Sequence, residues 1–321
     1  GRAGAGDINP RRAKPMTEST YIGRFAPSPT GPLHFGSLVA AVGSYLQARR
    51  RGGQWLVRME DLDPPREVPG AADQILRTLE AYGFQWDGPV LYQSTRHEAY
   101  MEALEELQRQ GRAYRCTCSR KMVAERIAAE GGSPGIYPGT CRAARRSPHE
   151  PHAVRIISEG SPIAFDDGVQ GPLRSDIAAE VGDFVIRRAD GLFAYQLAVV
   201  VDDAAQGVTE VVRGSDLLGS TARQILLQSA LNLPTPGYLH LPVAVNARGE
   251  KLSKQTHAAP LDPQNPVPAL WAALRFLGQA PPPVLTSADP DSLWRWAIEH
   301  WNPGAVPRRM DIAELETRSR T

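Results

Sequence analysis

The sequence predicts an α/β fold with a parallel sheet, because predicted strands alternate with predicted helices along most of the chain. This pattern covers residues 16–114 and 189–261, which we expect to form the two halves of one catalytic unit. Between them, residues 115–188 are rich in short strands, glycines and basic residues, which indicates an inserted subdomain. Residues 262–321 contain prolines and two Trp-bearing helical stretches, so a short helical C-terminal region is expected.

Each element is predicted from a local pattern of apolar residues. The predicted strands are Tyr21–Ala26, Trp55–Glu60, Phe193–Val201, Gly207–Gly214 and Tyr238–Val245. The predicted helices are Leu38–Arg50, Ala71–Tyr82, His97–Gln110 and Ser220–Leu231. We expect Trp271 and Trp294, in the C-terminal region, to be core residues.

Composition and charge limit the possible functions. No apolar run approaches the roughly 20 residues that a membrane-spanning helix needs. A net charge of +1 gives no general attraction to nucleic acid, so any RNA contact must use local basic surface. Three cysteines, an odd number, argue against a disulfide framework and favour a reducing, cytoplasmic compartment. We expect residues 1–15, which lack a hydrophobic stretch, to be a disordered extension before a natural start at Met16, and the protein to be a monomer.

Two short segments far apart in the chain indicate ATP chemistry. Arg24–Ser37 (RFAPSPTGPLHFGS) joins the first predicted strand to a helix, where backbone N–H groups and the helix dipole favour a polyphosphate. His34 adds a side-chain donor there. Lys251–Gln255 (KLSKQ) places two lysines and a serine on a loop that Gly249 bounds, which suits the stabilisation of charge on phosphates.

Both segments resemble the signatures of class I aminoacyl-tRNA synthetases. RFAPSPTGPLHFGS resembles the HIGH region in the form that glutamyl-tRNA synthetases use, with Ser37 in place of the second histidine. KLSKQ resembles the KMSKS loop, with Leu252 and Gln255 in place of the Met and the final Ser. This form is similar to that of the short glutamyl paralogues, the glutamyl-queuosine tRNA(Asp) synthetases. The resemblance extends from Tyr21 to Leu261 and implies a Rossmann-type sheet with an acceptor-binding-like insertion.

The resemblance also implies roles for individual residues. Those expected to bind ATP are His34, Gly36, Ser37, Lys251, Ser253 and Lys254, of which His34 and Lys254 are expected to be catalytic. Those expected to bind glutamate are Arg24, Phe25, Ala26, Pro27, Ser28, Glu60, Tyr195 and Arg213. Their positions at or near the carboxyl ends of predicted strands agree with where open α/β sheets bind ligands. For the acids Asp61, Asp63, Asp202 and Asp203, contact with substrate and a purely structural role both stay open.

A metal site is predicted within the insertion. Two thiols one residue apart, Cys116 and Cys118, and a third from a loop, Cys141, can converge on one Zn²⁺, although three independent buried thiols would show the same spacing. Tyr137 is the best-placed fourth ligand, while His149 and His152 are chemically more ordinary alternatives. The Cys-x-Cys and Tyr-x3-Cys pattern resembles the zinc site of the short paralogues, which implies a structural zinc held by Cys116, Cys118, Tyr137 and Cys141.

The resemblance implies a function. The chain is expected to activate glutamate with ATP as glutamyl-adenylate, without needing tRNA, and to transfer the glutamyl group to queuosine in the anticodon of tRNA(Asp). Only about sixty residues follow Leu261, too few for the usual anticodon-binding part, which favours this acceptor. Mg²⁺ is expected to accompany ATP, and the basic run Arg142, Arg145 and Arg146 is the first choice for RNA contact, ahead of Arg49–Arg51 and Arg308–Arg309.

Two alternatives stay open. One is a shortened glutamyl-tRNA synthetase, discriminating or non-discriminating, that charges the 3′ end of tRNA. The other is a catalytically inactive protein that binds RNA or an adenylate, although the intact signature residues argue against it.

Overall fold

A computed structural model describes residues 20–313 of the protein. The strands in this range are β1 (Ile22–Phe25), β2 (Gln54–Met59), β3 (Leu91–Tyr92), β4 (Ala113–Cys116), β5 (Ala153–Ile156), β6 (Ile163–Asp167), β7 (Gly171–Ser175), β8 (Phe184–Arg187), β9 (Glu210–Gly214), β10 (Gly237–Leu241), β11 (Val243–Val245) and β12 (Asp311–Ala313). The α-helices are α1 (Phe35–Arg50), α2 (Ala71–Ala81), α3 (His97–Arg109), α4 (Arg120–Glu130), α5 (Ile177–Glu180), α6 (Tyr195–Ala205), α7 (Thr221–Ala230), α8 (Pro266–Phe276) and α9 (Pro290–His300). The expected extension, residues 1–15, lies outside the described residues.

The main sheet is parallel, which confirms the predicted α/β class. One part has the order β3–β2–β1, and the other has the order β9–β10–β6–β7 with only β7 antiparallel. The two parts meet at Thr209, directly before β9, whose backbone N–H donates to the carbonyl of Ile22 in β1 at 2.9 Å. Strands from both halves of the chain therefore lie side by side, and their carboxyl ends face the same edge.

Helix α1 packs between the sheet and the C-terminal helices. Most of its residues between Leu38 and Ala48 are buried. Gly43 allows the close approach, because a Cβ atom there would lie 2.4 Å from a methyl group of Leu241 in β10. The first turn of α1 is thereby held at the edge of the sheet where the strands end.

The predicted strand over Phe193–Val201 is wrong, since its residues from Tyr195 onward form the first part of helix α6. The run Leu197–Val200 is buried in a core cluster with α3, α7 and the insertion, so the helix is apolar on all of its faces there. A short buried apolar run has no amphipathic period, and β-branched valines then favour a strand assignment that tertiary packing overrides. As a result Tyr195 lies at the first turn of a helix and not at the end of a strand.

The predicted strand Tyr238–Val245 is two strands, β10 and β11, separated at Pro242. Proline has no N–H to donate to a ladder, so it ends the pairing of β10 with β9. Strand β11 pairs instead with β12 from the C-terminal region, in parallel. This arrangement ties the chain just before the KLSKQ segment to the end of the described structure.

The insertion contains an antiparallel sheet in the order β4–β5–β8, together with α4. Its remaining hairpin, β6–β7, belongs to the main sheet, because β6 pairs in parallel with β10 at Asp167 and Tyr238. The segment predicted as an insertion is thus joined to the main sheet by backbone pairing as well as by its two chain connections.

The C-terminal helices α8 and α9 complete the core around α1. Trp271 and Trp294 are both buried there, as expected. The indole N–H of Trp294 donates to the carbonyl of Tyr82 at 2.8 Å, and that of Trp301 donates to Gln47 of α1 at 2.7 Å. Across residues 20–313, no helix combines the length and the hydropathy that crossing a bilayer requires.

Candidate active site

One cavity collects the residues predicted to bind ATP and glutamate. Its volume is about 610 Å³, and it lies where β1, β2, β9 and β10 end. Its lining includes all of the predicted residues: Arg24, Phe25, Ala26, Pro27, Ser28, His34, Gly36, Ser37, Glu60, Tyr195, Arg213, Lys251, Ser253 and Lys254. Folding therefore places segments more than 200 residues apart in sequence around a single space.

His34 caps the first turn of α1. Its Nδ1 accepts from the backbone N–H groups of Gly36, at 3.1 Å, and Ser37, at 3.4 Å. Burial and the nearby Lys251 lower the pKa of His34, so the ring is neutral and its proton lies on Nε2. A Cβ atom at Gly36 would lie 3.0 Å from the His34 ring, so glycine leaves the ring room to cap. The cap leaves the Nε2–H group available as a donor.

The KLSKQ loop is anchored at its centre. The side chain of Leu252 is buried in the main core, and its backbone N–H donates to the carbonyl of Ala244 at 2.9 Å. The hydroxyl of Thr256 donates to the carbonyl of Lys251 at 2.8 Å and accepts from the N–H of Ser253 at 2.9 Å. Leu252 therefore fixes the centre of the loop through both its side chain and its backbone.

The two lysines of this loop have different surroundings. Lys251 forms an ion pair with Asp216. Lys254 extends across the cavity, so that its Nζ lies 3.4 Å from the carbonyl oxygen of Thr30 in the first signature segment. Both cations therefore border the part of the cavity beside the first turn of α1.

A buried network of charges lies behind Arg24 and Glu60, which line another part of the cavity. Asp203 accepts from Nε of Arg24 at 3.0 Å and from Nη2 of Arg58 at 2.8 Å. Burial raises the pKa of Asp203, but the two guanidinium groups outweigh it and lower the pKa to about 2. Glu60 accepts from Nε of Arg58 at 3.3 Å and from Gln93 at 3.2 Å, and burial raises its pKa despite those arginines. A cation bound at the cavity would further stabilise the Glu60 carboxylate.

Arg213, unlike Arg24, has no carboxylate among its direct hydrogen-bond partners in the described part of the chain. Its side chain is buried, and its hydrogen bonds go to neutral groups: Nε donates to His240 at 3.0 Å, Nη1 to Gln224 at 2.9 Å and Nη2 to Thr221 at 3.0 Å. Arg24 is paired directly with a carboxylate, whereas these contacts hold the guanidinium of Arg213 without neutralising it. Arg213 is therefore suited to an anionic group of a ligand.

The acids left open by the sequence do not line the cavity among the described residues. Asp203 holds Arg24 and Arg58, and Asp202 accepts from Arg96 at 3.0 Å and from Gln93 at 3.0 Å. Asp61 accepts from the backbone of Ser94 at 2.8 Å. Asp63 is half-buried and forms an ion pair with Arg66 at 3.5 Å. The structure thus gives these acids supporting contacts rather than a place at the cavity wall.

Sequence reasoning missed the buried polar residues behind the cavity, chiefly Arg58, Asp167 and His240. Arg58 is fully buried in β2, between the equally buried Val57 and Met59. Central parallel strands are ordinarily apolar on both faces, so a charge inside such a run was a usable signal. Asp167 and His240 gave no such signal, because their partnership depends on the pairing of β6 with β10.

The three cysteines form a compact group in the insertion. Their sulfur atoms all lie within 4.8 Å of one another, and the hydroxyl of Tyr137 lies 3.4 Å from Cys116 Sγ and 3.7 Å from Cys118 Sγ. Neither His149 nor His152 belongs to this group in the described part of the chain. Burial raises the pKa of Cys118 to about 11, whereas hydrogen bonds outweigh burial at Cys141 and lower its pKa to about 6. The case for a metal therefore rests on the convergence of the donors and not on these pKa values. The donors present fit a single zinc ion.

The basic runs are partly occupied by internal contacts. Arg142 donates to Asp183 from two nitrogens, at 3.0 and 2.7 Å, and also pairs with Glu159. Arg49 pairs with Asp87 at 2.8 Å, and Nε of Arg308 donates to the carbonyl of Gln170 at 3.1 Å. Arg142 therefore braces the insertion, which weakens the expectation that it contacts RNA.

Comparison with known proteins identifies the family of the chain. The model of the catalytic domain of class I tRNA synthetases (E and Q) matches residues 22–264. The glutamyl-Q tRNA(Asp) synthetase of Aromatoleum aromaticum is 58% identical over 90% of this chain and 91% of the relative. That of Dechloromonas aromatica is also 58% identical, over 91% of this chain and 97% of the relative.

The fold has a solved counterpart. The glutamate-tRNA synthetase of Elizabethkingia anophelis superposes with a TM-score of 0.77 over 92% of this chain and 68% of that one, at 24% identity. The chain belongs to the class I tRNA synthetases for glutamate and glutamine and, within them, to the glutamyl-Q tRNA(Asp) synthetases. It is therefore an enzyme of the ligase type.

Proposed function

We propose that the protein activates glutamate with ATP, without needing tRNA, and transfers it to queuosine in the anticodon of tRNA(Asp). One observation carries the first half of this proposal. The single cavity of about 610 Å³ has the two phosphate-binding signatures on one part of its wall and Glu60 with Arg213 on another. The second half rests on the relatives, which are glutamyl-Q tRNA(Asp) synthetases at 58% identity.

The charges of the cavity match those of glutamate. The buried carboxylate of Glu60 would accept from the α-ammonium group, and this contact would compensate for the burial that raises its pKa. Arg213, whose direct partners are neutral, would bind the side-chain carboxylate. Glutamine offers that guanidinium no charge, and its amide N–H groups would face other donors. We therefore infer a preference for glutamate.

In the activation step, an oxygen of the glutamate α-carboxylate attacks the α-phosphorus of ATP. The bond from this phosphorus to the oxygen that bridges to the β-phosphate breaks, and pyrophosphate leaves with the bonding electrons. The Nε2–H of His34 and the ammonium of Lys254 would donate to phosphate oxygens as charge builds on them. Mg²⁺ would accompany ATP and offset phosphate charge. The protein's main contribution is to orient the two reactants.

In the transfer step, a hydroxyl oxygen of queuosine attacks the glutamyl carbonyl carbon and forms an ester bond. The bond from this carbon to the phosphate oxygen breaks, AMP leaves with the bonding electrons, and the proton of the hydroxyl is released to water. Phosphates of the RNA would contact exposed arginines of the insertion, Arg145 in particular, because Arg142 is held by Asp183. Such contacts position the RNA without reading its sequence.

The proposal predicts glutamate-dependent exchange of labelled pyrophosphate into ATP with no tRNA present. Glutamine and aspartate, tested in parallel at equal concentration, should support little exchange. Glutamine offers Arg213 no carboxylate, and the side-chain carboxylate of aspartate is one methylene group nearer its Cα. Exchange that begins only when tRNA is added would contradict tRNA-independent activation. Equal exchange with glutamine would contradict the assigned role of Arg213.

We also propose that Cys116, Cys118, Cys141 and Tyr137 hold one structural Zn²⁺. The close sulfur atoms and the neighbouring phenol support this, because together they supply four donors to one point. All four donors are protein groups, so the ion would tie the loop that carries Cys141 to the end of β4 rather than take part in catalysis.

Metal analysis of protein purified without chelators should find about one zinc per chain. Cys141→Ser should lower zinc retention against a chelator, and Tyr137→Phe should do so to a smaller extent. Tyr114→Phe is the matched control, because this neighbouring phenol bonds Asp183 and lies outside the donor set. Absence of zinc would contradict the site, and unchanged retention in Tyr137→Phe would remove Tyr137 from it.

A further inference from the structure

Two buried residues lie behind Arg213 and form a chain of hydrogen bonds with it. We propose that His240, held by Asp167, is a positioning residue that fixes the orientation of Arg213 and keeps its charge available for the side-chain carboxylate of glutamate. This inference rests on the proposed function, since it concerns the group that would recognise the substrate. Neither residue lines the cavity, so both would act through Arg213.

Asp167 is a buried carboxylate with a full set of donors. Its Oδ1 accepts from the backbone N–H groups of Val169, at 3.0 Å, Gln170, at 2.9 Å, and His240, at 3.1 Å. Its Oδ2 lies 2.5 Å from Nδ1 of His240. Burial raises the pKa of Asp167, but these bonds outweigh it and lower the pKa overall. The group is therefore an anion whose position the backbone determines.

The carboxylate determines which nitrogen of His240 carries the proton. Because Oδ2 of Asp167 can only accept, Nδ1 of His240 is the donor, and Nε2 is left as an acceptor. Nε of Arg213 donates to this Nε2 at 3.0 Å. The ring is fully buried and stacks on Tyr238 with an angle of 13° between the planes, so it cannot turn freely.

Placing a neutral ring between the two charges has a chemical consequence. Asp167 offsets the buried charge of Arg213 from one ring away, but it does not occupy the guanidinium. Arg24 shows the other arrangement, in which Asp203 takes two of its nitrogens directly. A guanidinium paired in that way would have to give up its carboxylate partner before it bound another. Because His240 lies between Asp167 and Arg213, no protein carboxylate competes with the ligand for this guanidinium. Gln224 and Thr221 accept hydrogen bonds from its two other nitrogens.

The hydrogen bonds from Asp167 through His240 to Arg213 also link the insertion to the substrate cavity. Asp167 ends β6, within the segment that interrupts the two halves of the catalytic unit, whereas Arg213 and His240 lie on β9 and β10. The pairing of Asp167 with Tyr238 sets the register that brings the carboxylate to the ring. The insertion therefore supplies an anion on which the recognition of the amino acid depends.

Asp167→Asn is the sharpest test, because it changes charge and proton placement with little change in volume. The asparagine oxygen can keep the backbone N–H bonds, while its NH₂ faces Nδ1 of His240. The ring must then carry its proton on Nε2, where it opposes the N–H of Arg213. We expect the KM for glutamate in pyrophosphate exchange to rise about tenfold or more, the KM for ATP to stay unchanged, and the preference for glutamate over glutamine to fall.

His240→Leu, which removes the acceptor, should have the same effect, and His240→Gln, which restores an oxygen at the end of the side chain, should recover part of it. Asp166→Asn is the control, because this exposed carboxylate precedes Asp167 on the same strand. Unchanged glutamate KM and selectivity in folded Asp167→Asn would overturn the inference, as would an equal rise in both KM values. Absence of glutamate-dependent exchange in the unsubstituted protein would instead defeat the proposed function.

Discussion

Labelled glutamate should become attached to tRNA(Asp) that carries queuosine, and the label should remain after the 3′ terminus of the tRNA is removed. The expected contrast is nearly all or none, because without queuosine the adenylate lacks the hydroxyl nucleophile that the proposal assigns. The measurement compares tRNA(Asp) from cells with and without queuosine, each incubated with the protein, ATP and labelled glutamate. Digestion of the product then locates the label on the anticodon or on the 3′ ribose.

The 3′ end of the tRNA must be blocked without damage to the modified base. Enzymatic removal of the 3′ end is the appropriate control. Periodate oxidation of the 3′ ribose is unsuitable as the only block, because a vicinal diol on the modified base would also react. Efficient labelling of queuosine-free tRNA(Glu) at its 3′ end would establish the ordinary glutamyl-tRNA synthetase alternative. Exchange activity with no labelling of any tRNA would contradict the transfer half of the proposal alone.

Lys254→Ala should raise the activation barrier for pyrophosphate exchange by roughly 2–4 kcal/mol, which corresponds to a rate about thirtyfold to a thousandfold lower. The reason is that Lys254 extends from the KLSKQ loop to within 3.4 Å of the Thr30 carbonyl, across the space where the phosphates would lie. Its charge would stabilise the transition state more than bound ATP, so kcat should fall more than the KM for ATP rises.

Arg248→Ala is the matched control for this substitution, because Arg248 is an exposed cation in the same loop region and does not line the cavity. Its exchange rate should equal that of the unsubstituted protein. Thermal unfolding of both variants separates loss of the phosphate contact from loss of fold. An unchanged rate in Lys254→Ala would remove Lys254 from the mechanism.

Much of the site was predictable because its residues occur in contiguous segments. The first signature segment combines a strand, a turn and the first residues of a helix, so its conformation depends mainly on local sequence. The KLSKQ loop likewise contains its own anchor, Leu252, and two cations. Family resemblance then assigned Glu60 and Arg213, and the structure places both at the same cavity as the signatures.

The secondary-structure prediction was wrong where the apolar residues showed neither a helical nor a strand period. Phe193–Val201 was predicted as a strand, yet Tyr195–Ala205 is a helix whose apolar run Leu197–Val200 is buried on every face. Its two acids, Asp202 and Asp203, were ambiguous for the same reason, since only the helix geometry shows that Asp203 faces two buried arginines and that Asp202 faces the half-buried Arg96. Local propensity favours a strand for consecutive valines, and packing against α3 and α7 decides otherwise.

The sequence by itself determined the α/β class, the two ATP signatures and the group of three cysteines, because each of these depends on residues that are near one another along the chain. Only the tertiary structure decided which charges neutralise one another. Asp203 and Arg24 are 179 residues apart, and Asp167 and His240 are 73 apart. Such pairs cannot be recognised from a local sequence pattern. They form because folding buries both groups at one place, where an unpaired charge would cost too much free energy.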